Sequence, residues 1–286
     1  MRFGLYHLCI LLGVLMISSC QREITEEIPG SSNSNSCAGT LLAKLISKSI
    51  NDSAVTEFEY DANRRLVKEN SKSFNPANPG TTDILITRDP NGIVTRVKRV
   101  GHYLQGSDST DARAFYSTTD RRYTHVVTEI TFSGYITTDS LVYIYDASGR
   151  LTKEDVYLHH FTTGPYYTLD DKYEYEYDNK GNVSKLTIYS RDQTTNVIGL
   201  EVTYKYSYDN KKRALPLDPL EALLLNGTLT SSLQNVVSIK VTDVKFPIYT
   251  GTYTEQFNYN SCDRPVTMTE TFSASSDFRK LQYFYK

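Results

Sequence analysis

Apolar and polar residues alternate along most of this chain, and short polar turns interrupt the alternation at regular intervals. In Tyr173-Glu174-Tyr175-Glu176-Tyr177 the period of two places the tyrosines on one face of a strand and the glutamates on the other. Asp178-Asn179-Lys180-Gly181 follows. There the Asp carboxylate can accept a backbone N–H two residues on, and Gly supplies the left-handed conformation that closes a bulged hairpin. The same grammar stands at Tyr145–Gly149 and Asp89–Gly92, and with Gly replaced at Tyr60–Arg64 and Tyr208–Lys212. A β-branched or Leu residue opens the return strand at Leu66, Val94, Leu151 and Val183.

The turn aspartates set a period. Asp61 to Asp89 is 28 residues, Asp146 to Asp178 is 32 and Asp178 to Asp209 is 31. The 57 residues between Asp89 and Asp146 leave room for one degenerate copy near Tyr116–Arg122. A late copy lies at Phe257–Asn260 and a half copy at Gln282–Tyr285. Such self-similarity predicts a repeat architecture.

Strands are expected at Leu41–Ser49, Ala54–Tyr60, Leu66–Phe74, Thr82–Arg88 and Val94–Tyr103, with loops at Asn75–Gly80 and Gly106–Asp111. They resume at Tyr123–Phe132, Ile136–Tyr145, Leu151–Phe161, Thr168–Tyr177, Val183–Arg191 and Val197–Tyr208. Asn235–Val244, Tyr249–Tyr259, Val266–Ser273 and Phe278–Tyr285 complete the set. The fold class is therefore all-β: a single large antiparallel sheet that must curl or close into a barrel to bury its aromatic face. One short helix is expected near residues 218–226. Asp218 is its N-cap, Pro219 its first position, Leu220, Leu223 and Leu224 its apolar stripe, and Asn226-Gly227 its stop. It is read as a plug for one end or the concave face of the sheet, with an exposed docking element as the alternative.

The repeat units resemble the YD (tyrosine–aspartate) repeats of the RHS family, whose pattern is roughly Tyr-x-Tyr-Asp-x-x-Gly-Arg/Asn-Leu/Val. Tyr143–Leu151 and Tyr175–Val183 match closely and the other copies in part, over about residues 55–286. RHS proteins wind such repeats into a shell around a toxin cargo. This chain is too short for a full shell and shows no toxin segment after the repeats. It looks more like the YD-like lipoproteins of unknown function common in Bacteroidetes, which also interrupt their repeats late, as Asn210–Val237 does here.

Composition changes the picture at the N-terminus. Residues 1–19 read as a lipoprotein signal peptide: Arg2, then the apolar run Leu5–Ile17, then Ser18-Ser19 before Cys20. Cys20 resembles the acylated cysteine of a lipobox. Gln21 after it suggests the outer membrane, with the domain facing the periplasm or the cell surface. Residues 20–37 form the anchor and tether, in which Gly30–Ser36 cannot bury enough apolar surface to order itself. Residues 38–286 form the β domain. Cys37 and Cys262 remain as candidates for a disulfide linking the start of that domain to its last hairpin. Thirty-one basic against 33 acidic residues give no electrostatic case for nucleic acid.

The chemistry on offer is sparse. Tyr173, Tyr175, Tyr177, Tyr204, Tyr206 and Tyr208 could stack sugar rings, or could be the packing residues of the repeat. The absence of Trp favours packing. His159-His160 point to opposite faces of a strand and cannot chelate one ion, and His102 and His125 have no carboxylate at ligand spacing, so no metal or other cofactor is expected. Known catalytic motifs are absent. An outer-membrane barrel needs a charge-free lipid face, whereas Arg96 and Lys98 share one face and Arg99 occupies the other. The expectation is a non-catalytic envelope lipoprotein with a binding or scaffolding role, membrane-held through its lipid and partnered by an envelope protein or a glycan. Its alternative is a surface glycan-binding lipoprotein that uses exposed tyrosine faces.

Overall fold

Alternation becomes a closed sheet in the computed structural model. The structure describes residues 41–286 apart from 50–51, 105, 133–134, 160–166, 193, 215–223, 225–231, 233 and 276–277. The signal peptide, Cys20, the tether, Cys37 and all of the expected helix except Leu224 thus lie outside the described residues.

Sixteen strands follow one another as an antiparallel meander. The first eight are β1 (Leu42–Ser49), β2 (Ser53–Tyr60), β3 (Leu66–Ser73), β4 (Gly80–Arg88), β5 (Val94–Tyr103), β6 (Gly106–Ser117), β7 (Arg122–Phe132) and β8 (Tyr135–Tyr145). The second eight are β9 (Leu151–His159), β10 (Tyr167–Tyr177), β11 (Val183–Arg191), β12 (Ile198–Lys212), β13 (Gln234–Asp243), β14 (Gly251–Tyr259), β15 (Pro265–Phe272) and β16 (Phe278–Tyr285). The last strand returns to the first, pairing Leu45 with Tyr283 and Ser47 with Leu281, so the sheet closes into a barrel. Closure removes the exposed edges that a long meander would otherwise carry.

One expectation fails here. Gly106–Asp111 is the start of a strand rather than a loop. Its Ser- and Asp-rich composition hides it, because cross-strand charge pairs rather than apolar burial hold it: Arg99 to Asp108 at 3.2 Å, and Arg96 to Asp111.

The repeat has a clear physical basis. At Asp61, Asp146 and Asp178 the Oδ1 atom accepts the backbone N–H groups two and four residues on. Asn260 does the same for Cys262 and Arg264. Oδ2 is held by the residue four places on: Arg65, Arg150 or Asn182. That is why the unit ends in Gly-Arg or Gly-Asn. The fourth turn residue is left-handed in five of these turns, whether Gly92, Gly149 and Gly181 or the substitutes Arg64 and Asp263, whereas the turn expected at Tyr208–Lys212 is an irregularity inside β12, which runs on to pair Lys212 with Gln234. A bulge directly precedes the repeat tyrosine in the hairpins of Tyr60, Tyr145, Tyr177 and Tyr259.

The tyrosine then reaches back to the preceding strand. Tyr60 donates its hydroxyl to Leu42 O, Tyr145 to Tyr123 O, Tyr177 to Leu151 O, Tyr208 to Val183 O and Tyr285 to Pro265 O, all at 2.7–2.8 Å. Each acceptor is the opening residue of the preceding odd-numbered strand, or its immediate neighbour in register. Arg88 takes the tyrosine's place at Leu66 O. The side chains of Leu42, Leu66, Val94, Tyr123, Leu151, Val183 and Pro265 are buried and form one apolar layer across this end of the barrel. Hydroxyl and layer together lock each hairpin to the one before it. Replacing Tyr177 by Phe is expected to cost about 1 kcal/mol in urea unfolding, since it removes one such bond and leaves the Leu151 carbonyl without it.

All the Asp-type turns lie at one end of the barrel, hereafter the turn end. The connections after the odd-numbered strands, among them β3, β5, β7, β11, β13 and β15, lie at the other end.

Candidate functional site

Register decides which way each side chain points. On β10 and β12, Tyr173, Tyr175, Tyr177, Tyr204, Tyr206 and Tyr208 all face the barrel interior, opposite inward partners such as Leu186, Ile188, Val202, Ile239 and Val241. Tyr175 and Tyr206 are buried and the other four half-buried. The hydroxyls of Tyr177 and Tyr208 close the lock described above, and Tyr175 donates to Glu154 Oε2 at 3.1 Å. The Tyr204 and Tyr206 rings lie 6.3 Å apart and nearly parallel. None of the six is an exposed face, which corrects the tyrosine platform proposed for a glycan. They pack because the pleat sends every second residue inward and the interior is the only large apolar volume.

The outer wall carries charge and ion pairs. Glu174 and Glu176 stand on it as expected, paired with Lys153 at 2.9 Å and Lys185 at 2.7 Å. Lys44–Glu57, Lys68–Glu59 and Lys68–Asp83 repeat the pattern around the sheet. Exposed charged residues also mark β5 (Lys98), β7 (Glu129), β12 (Lys205), β13 (Lys240) and β16 (Lys280).

Inside, polarity grades along the axis. Above the apolar layer at the turn end sit inward acids: Glu69 on β3, Glu154 on β9 and Glu255 on β14. Burial alone pushes the Glu69 carboxyl up to about 8, and one of its oxygens has no hydrogen-bond partner. Burial raises Glu154 to about 7 against the opposing bond from Tyr175, and burial with the facing Glu270 carboxylate raises Glu255 to about 8. Arg279 lies in the same row, donating to Glu270 at 2.8 Å. Nearer the far end the inward residues are hydroxylic and charged. Tyr103 receives Arg99 Nη2 at 2.7 Å and lies 3.2 Å from Thr82 Oγ1, with Asp108 on the other arm of Arg99. The Tyr103 ring covers Gly80 and Gly101, where any Cβ would strike it. Thr82, Asp108, Thr110 and Asp139 are only half-buried, so solvent enters from this end.

The turn end holds polar anchors beside its apolar layer. The described residues bordering the late insert are anchored there: Ser232 Oγ bonds Val183 N–H and the Tyr208 hydroxyl, and Arg264 donates to Ala214 O. Leu224 is helical and packs against the core.

Other candidate residues remain apart. His125 stacks on Phe115 at 4.2 Å on the outer wall, and His102 is exposed; the side chains of His159 and His160 lie outside the described residues. No group of three His, Cys, Asp or Glu residues placed to hold a metal occurs among the described residues. Cys262, in the turn between β14 and β15, is disulfide-bonded, and its partner lies outside the described residues. The buried glutamates are the functional-type residues that the sequence reading missed, although Glu255 shares its parity with Tyr253, Phe257 and Tyr259.

No family model matches the chain, and no curated protein matches it. Two solved structures resemble it over nearly their whole length. A porin-like protein from Bacteroides vulgatus ATCC 8482 has a TM-score of 0.55 at 10% identity, covering 86% of this chain and 99% of that one. A porin-like protein from Bacteroides uniformis ATCC 8492 has a TM-score of 0.51 at 11% identity, covering 86% and 98%. At these identities the likeness is one of fold: a large, closed, all-antiparallel barrel.

Proposed function

We propose that this chain is a lipid-anchored cell-envelope protein with a non-catalytic binding or scaffolding role. In this reading it is a short relative of the YD-repeat proteins, held by Cys20 and presenting the open end of its barrel. The observation that carries the reading is the contrast between wall and interior. A lipid-facing barrel is apolar outside, and a Lys or Arg at the bilayer midplane costs about 2–4 kcal/mol. Here charge and ion pairs run around the outside while apolar side chains fill the turn end of the interior. The porin-like barrels thus share a fold with this protein, and the membrane attachment falls to the acyl group. The raised glutamates on β3, β9 and β14 stand on well-separated sectors of the sheet, which favours binding over concerted acid–base work.

Cell fractionation of Cys20→Ser tests it. Wild-type protein is expected in the outer-membrane pellet after an alkaline carbonate wash, and the variant in the soluble fraction. A variant that stays in the washed membrane would overturn the anchored reading.

A further inference from the structure

The two ends of the barrel differ in what their loops expose. Turn-end tips are small or polar: Ala62-Asn63, Pro90-Asn91, Ala147-Ser148 and Asn179-Lys180. The far end is tipped with large apolar side chains. Tyr135 is 78% exposed, Ile248 76%, Leu104 74% and Val197 63%. Phe74, Phe132, Ile136, Phe246 and Phe278 are also exposed there. The connections after β3, β5, β7, β11, β13 and β15 each contribute at least one, from the loop itself or from a flanking strand end; of the other two, residues 50–51 and all of 160–166 lie outside the described residues. Isolated exposed apolar residues are ordinary, but their concentration on the tips of one end is a signal of contact with an apolar phase.

A second feature names that phase. Three of the rim aromatics carry a lysine ammonium over the ring: Lys72 over Phe74 at 5.2 Å, Lys245 over Phe246 at 5.8 Å and Lys280 over Phe278 at 5.4 Å. An apolar side chain beside a lysine is the pairing that settles at a headgroup boundary, the ring entering the acyl region and the ammonium meeting phosphate. Three described carboxylates near this rim are engaged locally. Asp192 accepts the N–H groups of Thr194 and Thr195, Asp243 accepts that of Phe246, and Glu201 pairs with Lys245. A second copy of the chain would therefore meet Lys72 and Lys280 with lysines, whereas an anionic lipid surface complements both; Lys245 is shared with Glu201.

We propose that this crown of loop tips seats the barrel mouth-down on an anionic phospholipid bilayer. The chain outside the structure permits it. The first described strand begins at the turn end, where Leu41 and Lys286 exchange backbone hydrogen bonds. Twenty residues separate Cys20 from Leu41, a reach of up to about 65–70 Å when extended. A strand of about ten residues spans only about 33 Å. An acyl group at Cys20 can thus share one membrane with the opposite end of the barrel. The proposal rests on the lipid-anchored reading for the local supply of membrane, and the test separates the two.

The chain contains no tryptophan, so a single introduced indole is a background-free reporter. Ile248→Trp places it on the rim and Phe284→Trp places it on the outer wall near the turn end. Both are made in the acylated full-length protein and in the unacylated Cys20→Ser chain, then mixed with vesicles of phosphatidylethanolamine and phosphatidylglycerol, with and without brominated acyl chains. The expected result is a blue shift and bromine quenching for Ile248→Trp, with neither for Phe284→Trp, and weaker binding to purely zwitterionic vesicles. Adding Leu104→Asp to Ile248→Asp should lower partitioning of the unacylated chain by at least about tenfold, as expected for removing two buried apolar side chains. If the unacylated chain alone shows the rim shift, the crown docks and the failure belongs to the anchor. An unshifted rim indole in both forms would overturn the crown. So would a rim shift that depends on protein concentration rather than on vesicles, which would give the rim to a second copy.

Discussion

Glu69→Gln is expected to stabilise the barrel by on the order of 3 kcal/mol at pH 7 and to remove much of its alkaline loss of stability. The carboxyl is fully buried between Phe58 and Ile84 in register, with an oxygen that has no partner. In the unfolded chain it ionises near 4.5, and in the folded one only near 8. Between those values unfolding releases a proton, so raising the pH favours the unfolded state. Stability should fall from about pH 4.5 to about pH 8 and then level off. Glu255, raised to about 8, and Glu154, raised to about 7, act with the same sign. The turn aspartates act in the opposite sense: Asp61, Asp146 and Asp178 are held below the usual carboxylate range by their turn hydrogen bonds, against opposing desolvation, and so lose stability only in acid. Urea unfolding of wild type and Glu69→Gln at pH 5 and pH 8 checks this. The wild type should be the more stable at pH 5, and the variant should show a smaller difference between the two. Equal pH slopes would show that Glu69 is hydrated in the folded protein.

Tyr123→Ala should be the most damaging of the single truncations in the turn-end layer, at about 3–5 kcal/mol. Tyr123 is 1% exposed, meets Tyr116 edge-to-face at 5.2 Å, and its carbonyl receives the Tyr145 hydroxyl. Its removal opens a cavity where two hairpins are locked together. A typical domain has only about 5–15 kcal/mol of stability in total, so the variant should unfold at a markedly lower urea concentration. The neighbour Thr124, exposed on the outer wall, should tolerate Ala within about 0.5 kcal/mol. Comparable losses at the two positions would mean that the layer does not close that end.

Much of this architecture is readable from the chain because local chemistry repeats. The turns write themselves as Asp or Asn, two free positions and a left-handed residue, and at Asp61, Asp146 and Asp178 the next side chain returns to the Asp. Even Arg64 and Asp263, which are not glycine, adopt the positive φ that the pattern demands. The inward parity of Tyr173, Tyr175 and Tyr177 also follows from alternation. What alternation cannot say is whether the apolar face lines a closed interior or an exposed platform, which is why packing and sugar stacking both stood open for the tyrosines. Closure depends on β16 meeting β1, a contact between the two ends of the domain that no local pattern encodes. The strand β6 escaped notice because it is held by Arg96 and Arg99 from its neighbour rather than by its own apolar residues. Glu255 was legible in principle, sitting two residues from Tyr253 and two from Phe257, but its burial becomes costly only once the sheet is closed around it. The rim crown was hidden for a related reason: its members are scattered in ones and twos over six loops, and only the meander gathers them at one end.

The most direct test of a water-facing barrel held by lipid is the behaviour of the Cys20→Ser chain without its acyl group. Purified in detergent-free buffer, it should remain soluble, give an all-β circular dichroism spectrum and add no conductance to a planar bilayer. A chain that needs detergent to stay in solution and opens steady channels would contradict the account, and would make the charged wall a lipid-facing one after all.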